Sequence, residues 1–293
     1  MTLTITAKDV IYKMDKSNHF VARANSGDRV IFETLDCFSC ELKTEKDKLM
    51  EIDFNKVNPA TGPLFINEAK AGDVLKIYIE KIEVKSRAVT IAQPGFGRLG
   101  NEIKESQTAI IEIENNKAKF KGIELPLRKM IGVIATAPLN EPVGNGTPGD
   151  HGGNMDCKEI KEGAILYLPV FVDGALLALG DLHALMGDGE INGAGAEVSG
   201  RVTIRVEVLK ECNYPLPMIE TKERWMTIGS RKSMDEASDL AILNMQKFIQ
   251  SKLGLSSNEA AMLMSIGADL AVCQVVNENK TMRVEIDKEL LKS

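Results

Sequence analysis

Asp181 and His183 stand two residues apart in Gly180-Asp181-Leu182-His183, inside an apolar run that begins near Val172. On an extended strand alternate side chains face one side, so both can reach a single point. Asp188 and Glu190 repeat that spacing a few residues later, and Glu197 opens the next β-like run. Gly180, Gly187, Gly189, Gly193 and Gly195 let the backbone turn tightly around such a point. Neutral imidazole plus carboxylates is a ligand set for a zinc-like divalent cation with an open position. Manganese, magnesium or iron suit the same ligand types. The plainer alternative is a set of turn residues, because Asp and Gly favour turns for conformational reasons.

Histidine is scarce, with three in 293 residues, so the position of a second one carries weight. His151 lies in Pro148-Gly149-Asp150-His151-Gly152-Gly153-Asn154-Met155-Asp156, again among glycines and carboxylates. Two such segments favour a site assembled from separate elements over a long surface loop with a solvated histidine. The metal-binding or metal-orienting candidates are therefore His183, Asp181, His151 and Asp156. Asn154 is a candidate to donate a hydrogen bond to substrate or to orient a ligand. Asp36 is either a further pocket carboxylate or a turn residue. Cys157 is a nucleophile candidate by position only, since a reactive thiol needs an electropositive setting. Cys37-Phe38-Ser39-Cys40 is a CxxC without the matching pair that a zinc site needs. Asp173, Asp188 and Glu190 offer oxygens that suit an additional structural calcium.

The elements that must hold these residues are mostly strands. Arg29 to Thr34 and Asp73 to Val84 carry β-like patterns. Thr108 to Glu114 and Lys117 to Ile123 flank Asn115-Asn116, a hairpin turn signal. Ala164 to Val170, Leu176 to Leu179 and Ser199 to Leu209 are further strands, the last alternating cleanly between polar and apolar residues. Beyond Ser233 the period changes. Ser233-Met234-Asp235-Glu236 reads as a capping box opening a helix to about Leu253, with Gly254 as its stop. A second helix runs from Ser256 to about Ile266, ended by Gly267, and Leu270 to Val276 follows as a buried strand. The predicted fold is α+β and mainly β: a sandwich- or barrel-like body over residues 1–215, with a smaller C-terminal α/β layer of two helices over 216–293. The lone tryptophan, Trp225, fits either core or pocket wall.

Composition narrows the function classes. Hydrophobic content of 44% and charged content of 27% are those of a soluble globular protein. A net charge of −6, with both signs mixed along the chain, disfavours nucleic acid as partner and gives no basis for membrane-surface binding. The first nine residues carry neither a basic n-region nor an apolar h-region, and five cysteines is an odd count, so reduced thiols in a cytoplasm are expected.

His151-Gly152-Gly153-Asn154-Met155-Asp156, and Gly180-Asp181-Leu182-His183-Ala184 followed by Gly187-Asp188-Gly189-Glu190, resemble two hallmark motifs of the acetamidase/formamidase family. Asn58-Pro59-Ala60-Thr61-Gly62-Pro63 followed by Gly72-Asp73-Val74-Leu75 is similar to that family's NPxTGP and GDxL pattern. Ile131-Gly132-Val133-Ile134 and Ala137-Pro138 also fit, and all of these stand in family order. Two positions depart from it: Asp150 replaces a common basic residue, and Met186 replaces a frequent glutamine. The resemblance implies a metal-dependent hydrolase of small linear carboxamides, a mainly β fold and a homo-oligomer, a dimer being favoured. A metal-activated water would attack the carbonyl, and a carboxylate would pass a proton to the departing amine. Glu197 and Glu190 are the carboxylate candidates, Glu197 preferred because it begins a strand. Two alternatives stand beside this reading: a hydrolase of a cyclic amide or urea-like compound, and a non-enzymatic β-sandwich that binds a cation or ligand.

Overall fold

The computed structural model describes residues 3–292. Two large sheets dominate it. One has nine strands, in the order Leu3–Ile5, Arg29–Thr34, Gly200–Leu209, Val74–Val84, Ile165–Pro169, Met218–Glu220, Arg224–Arg231, Lys280–Asp287 and Ala268–Gln274. The other has eleven, and its order includes Arg87–Ala92, Glu197–Val198, Leu177–His183 and Met130–Ala135 and ends on Gly152–Asn154. The inner faces of both sheets share one apolar core, in which Phe32, Ile77, Val202 and Ile204 of the first meet Ile131, Leu179, Leu182 and Val198 of the second. The mainly β expectation holds.

Local sequence explains the boundaries. The Asn115-Asn116 turn forms with both residues in the left-handed region, at φ 50° and 60°, joining Gln107–Glu114 to Lys117–Phe120. The strand expected to stop at Leu179 runs on to His183, so Asp181 and His183 both sit within it. Gly180 permits this: a Cβ there would lie 2.2 Å from the Pro59 carbonyl oxygen, so only glycine lets the Asn58-Pro59 segment cross so closely. That segment leads directly into Ala60–Ile66, which pairs with Leu177–His183.

The capping box predicted at Ser233 forms, and the helix start at Ser256 has one too. Ser233 and Ser256 each accept from the backbone N–H three residues on, and Glu236 and Glu259 reach back to the cap nitrogens. Gly254 ends helix Met234–Leu253 in the left-handed conformation. Gly267 does not act that way: it is the last residue of helix Ser257–Gly267, and the chain passes straight into extended backbone at Ala268. The strand expected to be buried there, Ala268–Gln274, is instead the outer strand of its sheet, with Leu270 half exposed and only Cys273 and Gln274 buried. Its apolar run misled because one flank faces solvent. Helix Met234–Leu253 packs over this end of the sheet and buries Ala241, Met245, Phe248 and Ile249. The sheet continues across residue 215, since Ile165–Pro169 pairs with Met218–Glu220.

Candidate metal centre

The side chains singled out by spacing converge in the middle of the eleven-stranded sheet. His183 lies opposite Glu197 in the register between Leu177–His183 and Glu197–Val198. On the other flank Met130–Ala135 pairs with the same strand, and Gly152–Asn154 follows it, carrying the chain to Asp156. The His183 Nε2 atom is 3.1 Å from Glu197 Oε2, 3.5 Å from Asp181 Oδ1, 3.9 Å from Asp156 Oδ1 and 4.0 Å from Glu190 Oε1. All five side chains are buried. Four carboxylates thus surround one imidazole nitrogen away from water.

Backbone strain marks the same residues. Asp156, Asp181 and Glu190 take positive φ, at 41°, 55° and 46°. Such conformations cost on the order of 1–3 kcal/mol each outside glycine and persist where surrounding structure imposes them. Positive φ at Asp181 also breaks the simple alternation that placed it beside His183; the two meet because the strand is distorted there.

Two glycines make the room. Gly132 sits between the register pairs Ile131↔Leu182 and Val133↔Gly180. A Cβ on it would lie 2.5 Å from Asp156 Oδ1 and 2.6 Å from Asp181 Oδ2. A Cβ on Gly195 would lie 2.6 Å from His183 Nδ1. The Gly195 N–H also donates to Glu197 Oε1 at 2.7 Å, leaving Oε2 to face the cluster.

Proton affinities follow from burial and crowding. Burial pushes the Glu197 carboxyl up to about 7, with His183 opposing and Asp181 adding to the rise. Burial and then the Asp181 charge push Asp156 up to about 6. Glu190 rises well above the carboxylate range through burial and its neighbour Asp156. Burial would lower His183, but Glu197 and Asp181 outweigh it and hold the imidazole well above its usual value.

The donor set fits a divalent cation. Both nitrogens of His183 lack a hydrogen-bond partner, as do Asp156 Oδ1, Asp181 Oδ1 and Glu197 Oε2, although all are buried. The 3.1 Å His183–Glu197 contact brings the atoms close without hydrogen-bond geometry. Buried polar atoms without partners are rare, and a cation would satisfy His183 Nε2 and the three carboxylate oxygens together, while His183 Nδ1 faces Gly195. Two triads have ligand atoms within 4.8 Å of one another: Asp156, His183 and Glu190, and Cys37, Asp181 and Glu197.

The sequence of motifs and this geometry meet in one family. Residues 15–145 and 144–278 match the sequence profile of the Acetamidase/Formamidase family. The chain belongs to that family. Its structure superposes on that of an acetamidase from Bacillus halodurans with a TM-score of 0.97 at 48% identity, covering 98% of each chain. A predicted acetamidase/formamidase from Thermoanaerobacter tengcongensis gives a TM-score of 0.97 at 44% identity, covering 99% of this chain and 97% of that one. The acetamidase of Mycolicibacterium smegmatis is 41% identical over 80 residues, 27% of this chain and 20% of that protein. Alignment to a Schizosaccharomyces pombe relative, 24% identical, spans 62% of that relative's length.

Within this chain the predicted site residues divide. His183, Asp181, Asp156, Glu190 and Glu197 come together. His151 does not join them: it is buried, its Nε2 lacks a partner, and among the described residues no carboxylate oxygen lies within 4.0 Å of its ring nitrogens. Burial drops its pKa to about 4. Asn154 is buried with an unpartnered Oδ1. Asp173, Asp188 and Glu190 do not form a calcium cluster. Asp173 is an exposed partner of Lys70 at 2.8 Å, and Asp188 accepts a fork from Arg283 at 2.9 and 3.0 Å. Asp36 has the turn role, accepting from the N–H groups of Phe38 and Cys40 at 3.0 and 2.7 Å. Cys157 is fully buried against Cys273. Trp225 is partly buried and packs against the core, with ring centroids 5.0 Å from Phe248 and 5.8 Å from Tyr167.

Three participants were not legible beforehand. Cys37 leaves its CxxC partner, which contacts Ser199, and joins Asp181 and Glu197. Asn277 donates to Asp156 Oδ2 at 2.9 Å and to the Asn154 carbonyl at 3.2 Å from the far end of the other sheet. Gly132 was visible only as part of the family pattern, and its reason is the space it leaves.

Proposed function

We propose that the protein hydrolyses small linear carboxamides to carboxylate and ammonia at the buried carboxylate–histidine cluster. The observation that carries this is the convergence of five buried side chains, four of which (His183, Asp156, Asp181 and Glu197) turn an unpartnered atom toward one point. His183, Asp156 and Asp181 would hold a divalent cation, zinc on the basis of the imidazole-plus-carboxylate set. Such a cation supplies a Lewis acid and lowers the pKa of bound water from 15.7 toward about 7.

The chain's own groups do the rest. Gly195 N–H fixes Glu197 Oε1, so Glu197 is held rigidly with Oε2 toward His183. Glu190 differs: it closes the cluster on one side and lines the adjoining cavity on the other. That position favours Glu190 over Glu197 as the group that takes a proton from water and delivers it to the nitrogen. Delivery is needed because an amide anion does not leave unprotonated. Asn154 Oδ1, buried and unpartnered, is available to accept from the substrate amide N–H. The carbonyl carbon gains an oxygen from water, the C–N bond breaks, and ammonia departs with the transferred proton.

A homodimer and a cytoplasmic setting complete the proposal. Cys37, Cys40, Cys157, Cys212 and Cys273 are all free thiols, which suits a reducing compartment. No helix of the described residues is long and apolar enough to cross a membrane.

Two substitutions test the roles. Glu190→Gln should lower kcat by roughly 10²–10⁴-fold, the usual contribution of a general acid–base, while zinc binding persists. Glu197→Gln should weaken zinc binding itself, because it alters the carboxylate oxygen that lies 3.1 Å from the ligand atom His183 Nε2. If Glu190→Gln keeps wild-type turnover, the proton-carrying role belongs elsewhere.

A further inference from the structure

A cavity of about 530 Å³ opens beside the cluster. Glu190 and Gly195 form its inner boundary, and both touch the site: Glu190 Oε1 is 4.0 Å from His183 Nε2, and Gly195 packs on the His183 ring. Away from that boundary the wall is largely apolar, built from Ile111, Phe120, Leu125, Leu185, Met186 and Ala194 among others. The carboxylate of Asp188, also on the wall, is already engaged by Arg283 and Lys158.

This volume is large for a one- or two-carbon amide. At about 30 Å³ per water-sized group, the four heavy atoms of acetamide fill on the order of 100 Å³. Met186 sharpens the point. Its apolar side chain lines the cavity in the segment that leads to Glu190, next to Leu185.

We propose that the cavity holds the acyl side chain of the substrate, and that the preferred substrates are primary amides with a medium-sized apolar acyl group, of the dimensions of hexanamide or phenylacetamide. The proposal rests on the amidase reading above and deepens it. In the reaction R–CO–NH2 + H2O gives R–COO⁻ and ammonium, with R unchanged in the cavity. The carbonyl carbon would lie at the Glu190 boundary.

The test uses zinc-loaded full-length protein and a series of acetamide, butyramide, hexanamide and phenylacetamide. Each buried methylene should raise kcat/KM by roughly fourfold, and phenylacetamide should exceed acetamide by at least about tenfold. Ala109→Phe places a ring into the cavity from its wall and should lower the phenylacetamide-to-acetamide ratio by at least about tenfold. Met186→Gln, a milder change should the first variant fold poorly, should lower that ratio severalfold. Calorimetric binding of the product analogue phenylacetate reads the cavity without turnover: it should bind the wild type and bind Ala109→Phe at least about tenfold more weakly. A kcat/KM that is flat or falls with acyl length would overturn the proposal. So would phenylacetate that does not bind, as when a second copy of the chain covers the cavity, or that binds wild type and variant alike. If no amide is hydrolysed but phenylacetate binds in the cavity, the amidase reading fails and the cavity assignment stands.

Discussion

Replacing Gly132 by alanine changes no charge and removes no ligand, yet it should dismantle the metal centre. The added Cβ would lie 2.5 Å from Asp156 Oδ1, 2.6 Å from Asp181 Oδ2 and 2.9 Å from the Asp181 carbonyl oxygen. Ordinary contact begins at 3.4 Å, so the two carboxylate oxygens must retreat by roughly 0.8–0.9 Å. Metal–ligand distances tolerate departures of only about 0.2 Å. Perturbing partners that merely orient ligands already costs about 10–100-fold in metal affinity, and here two candidate ligands move together. Zinc affinity should therefore fall at least about 100-fold, with amide hydrolysis falling in parallel. Folding should suffer less, by roughly 1–3 kcal/mol for an overpacked site, because side-chain ends do most of the yielding. Competition of the metal-free protein against a chelator measures the first quantity, and denaturant unfolding the second. A Gly132→Ala protein that binds zinc within about twofold of wild type, against the 10–100-fold expected, would refute the placement of the cation between Asp156 and Asp181.

Three further outcomes follow from the same geometry. In metal-free protein, Asp156 near 6 and Glu197 near 7 hold protons that the unfolded chain has released, so stability should fall as pH rises from about 4 to 7. The raised His183 acts in the same direction, its contribution being lost as pH climbs through its folded value; thermal melts with and without zinc should show a larger zinc-induced rise in Tm at pH 7.5 than at pH 5, and a flat metal-free profile would contradict this. Asn277→Ala removes the donor to Asp156 Oδ2 and should weaken zinc binding about 10–100-fold, checked by the same chelator competition. Phe248→Ala, in the aromatic cluster with Trp225 and Tyr214, should cost about 3–5 kcal/mol in denaturant unfolding while leaving the zinc affinity of the folded protein unchanged.

Much of the frame was legible because its signals are local. The capping box at Ser233, the helix start at Ser256 and the Asn115-Asn116 turn need only neighbouring residues to act, and they do so. The meeting of Asp181 with His183 was expected from strand spacing, but it arises from the distorted strand at Asp181, whose positive φ a period of two does not foresee. What stayed hidden depends on long-range contact. Asn277 reaches Asp156 from 121 residues away. Cys37 and Cys40 looked like one motif, but positive φ at Ser39 and Cys40 turns their side chains apart, toward the cluster and toward Ser199. Histidine scarcity points to His151 as it does to His183, yet scarcity carries no information on where a ring points, and only His183 lies among the carboxylates. The strand at Leu270 is an outer one despite its apolar run, because apolar content does not reveal which sheet edge lies open.

The most direct measurement pairs metal content with ammonia release in wild type and His183→Ala. Protein stripped by chelation, then reloaded with zinc, is assayed on acetamide and phenylacetamide, with circular dichroism confirming the fold. The account predicts that stripping abolishes ammonia release, that zinc restores it in the wild type, and that His183→Ala folds but neither retains zinc nor turns over amide. Full turnover by stripped protein or by His183→Ala would contradict it.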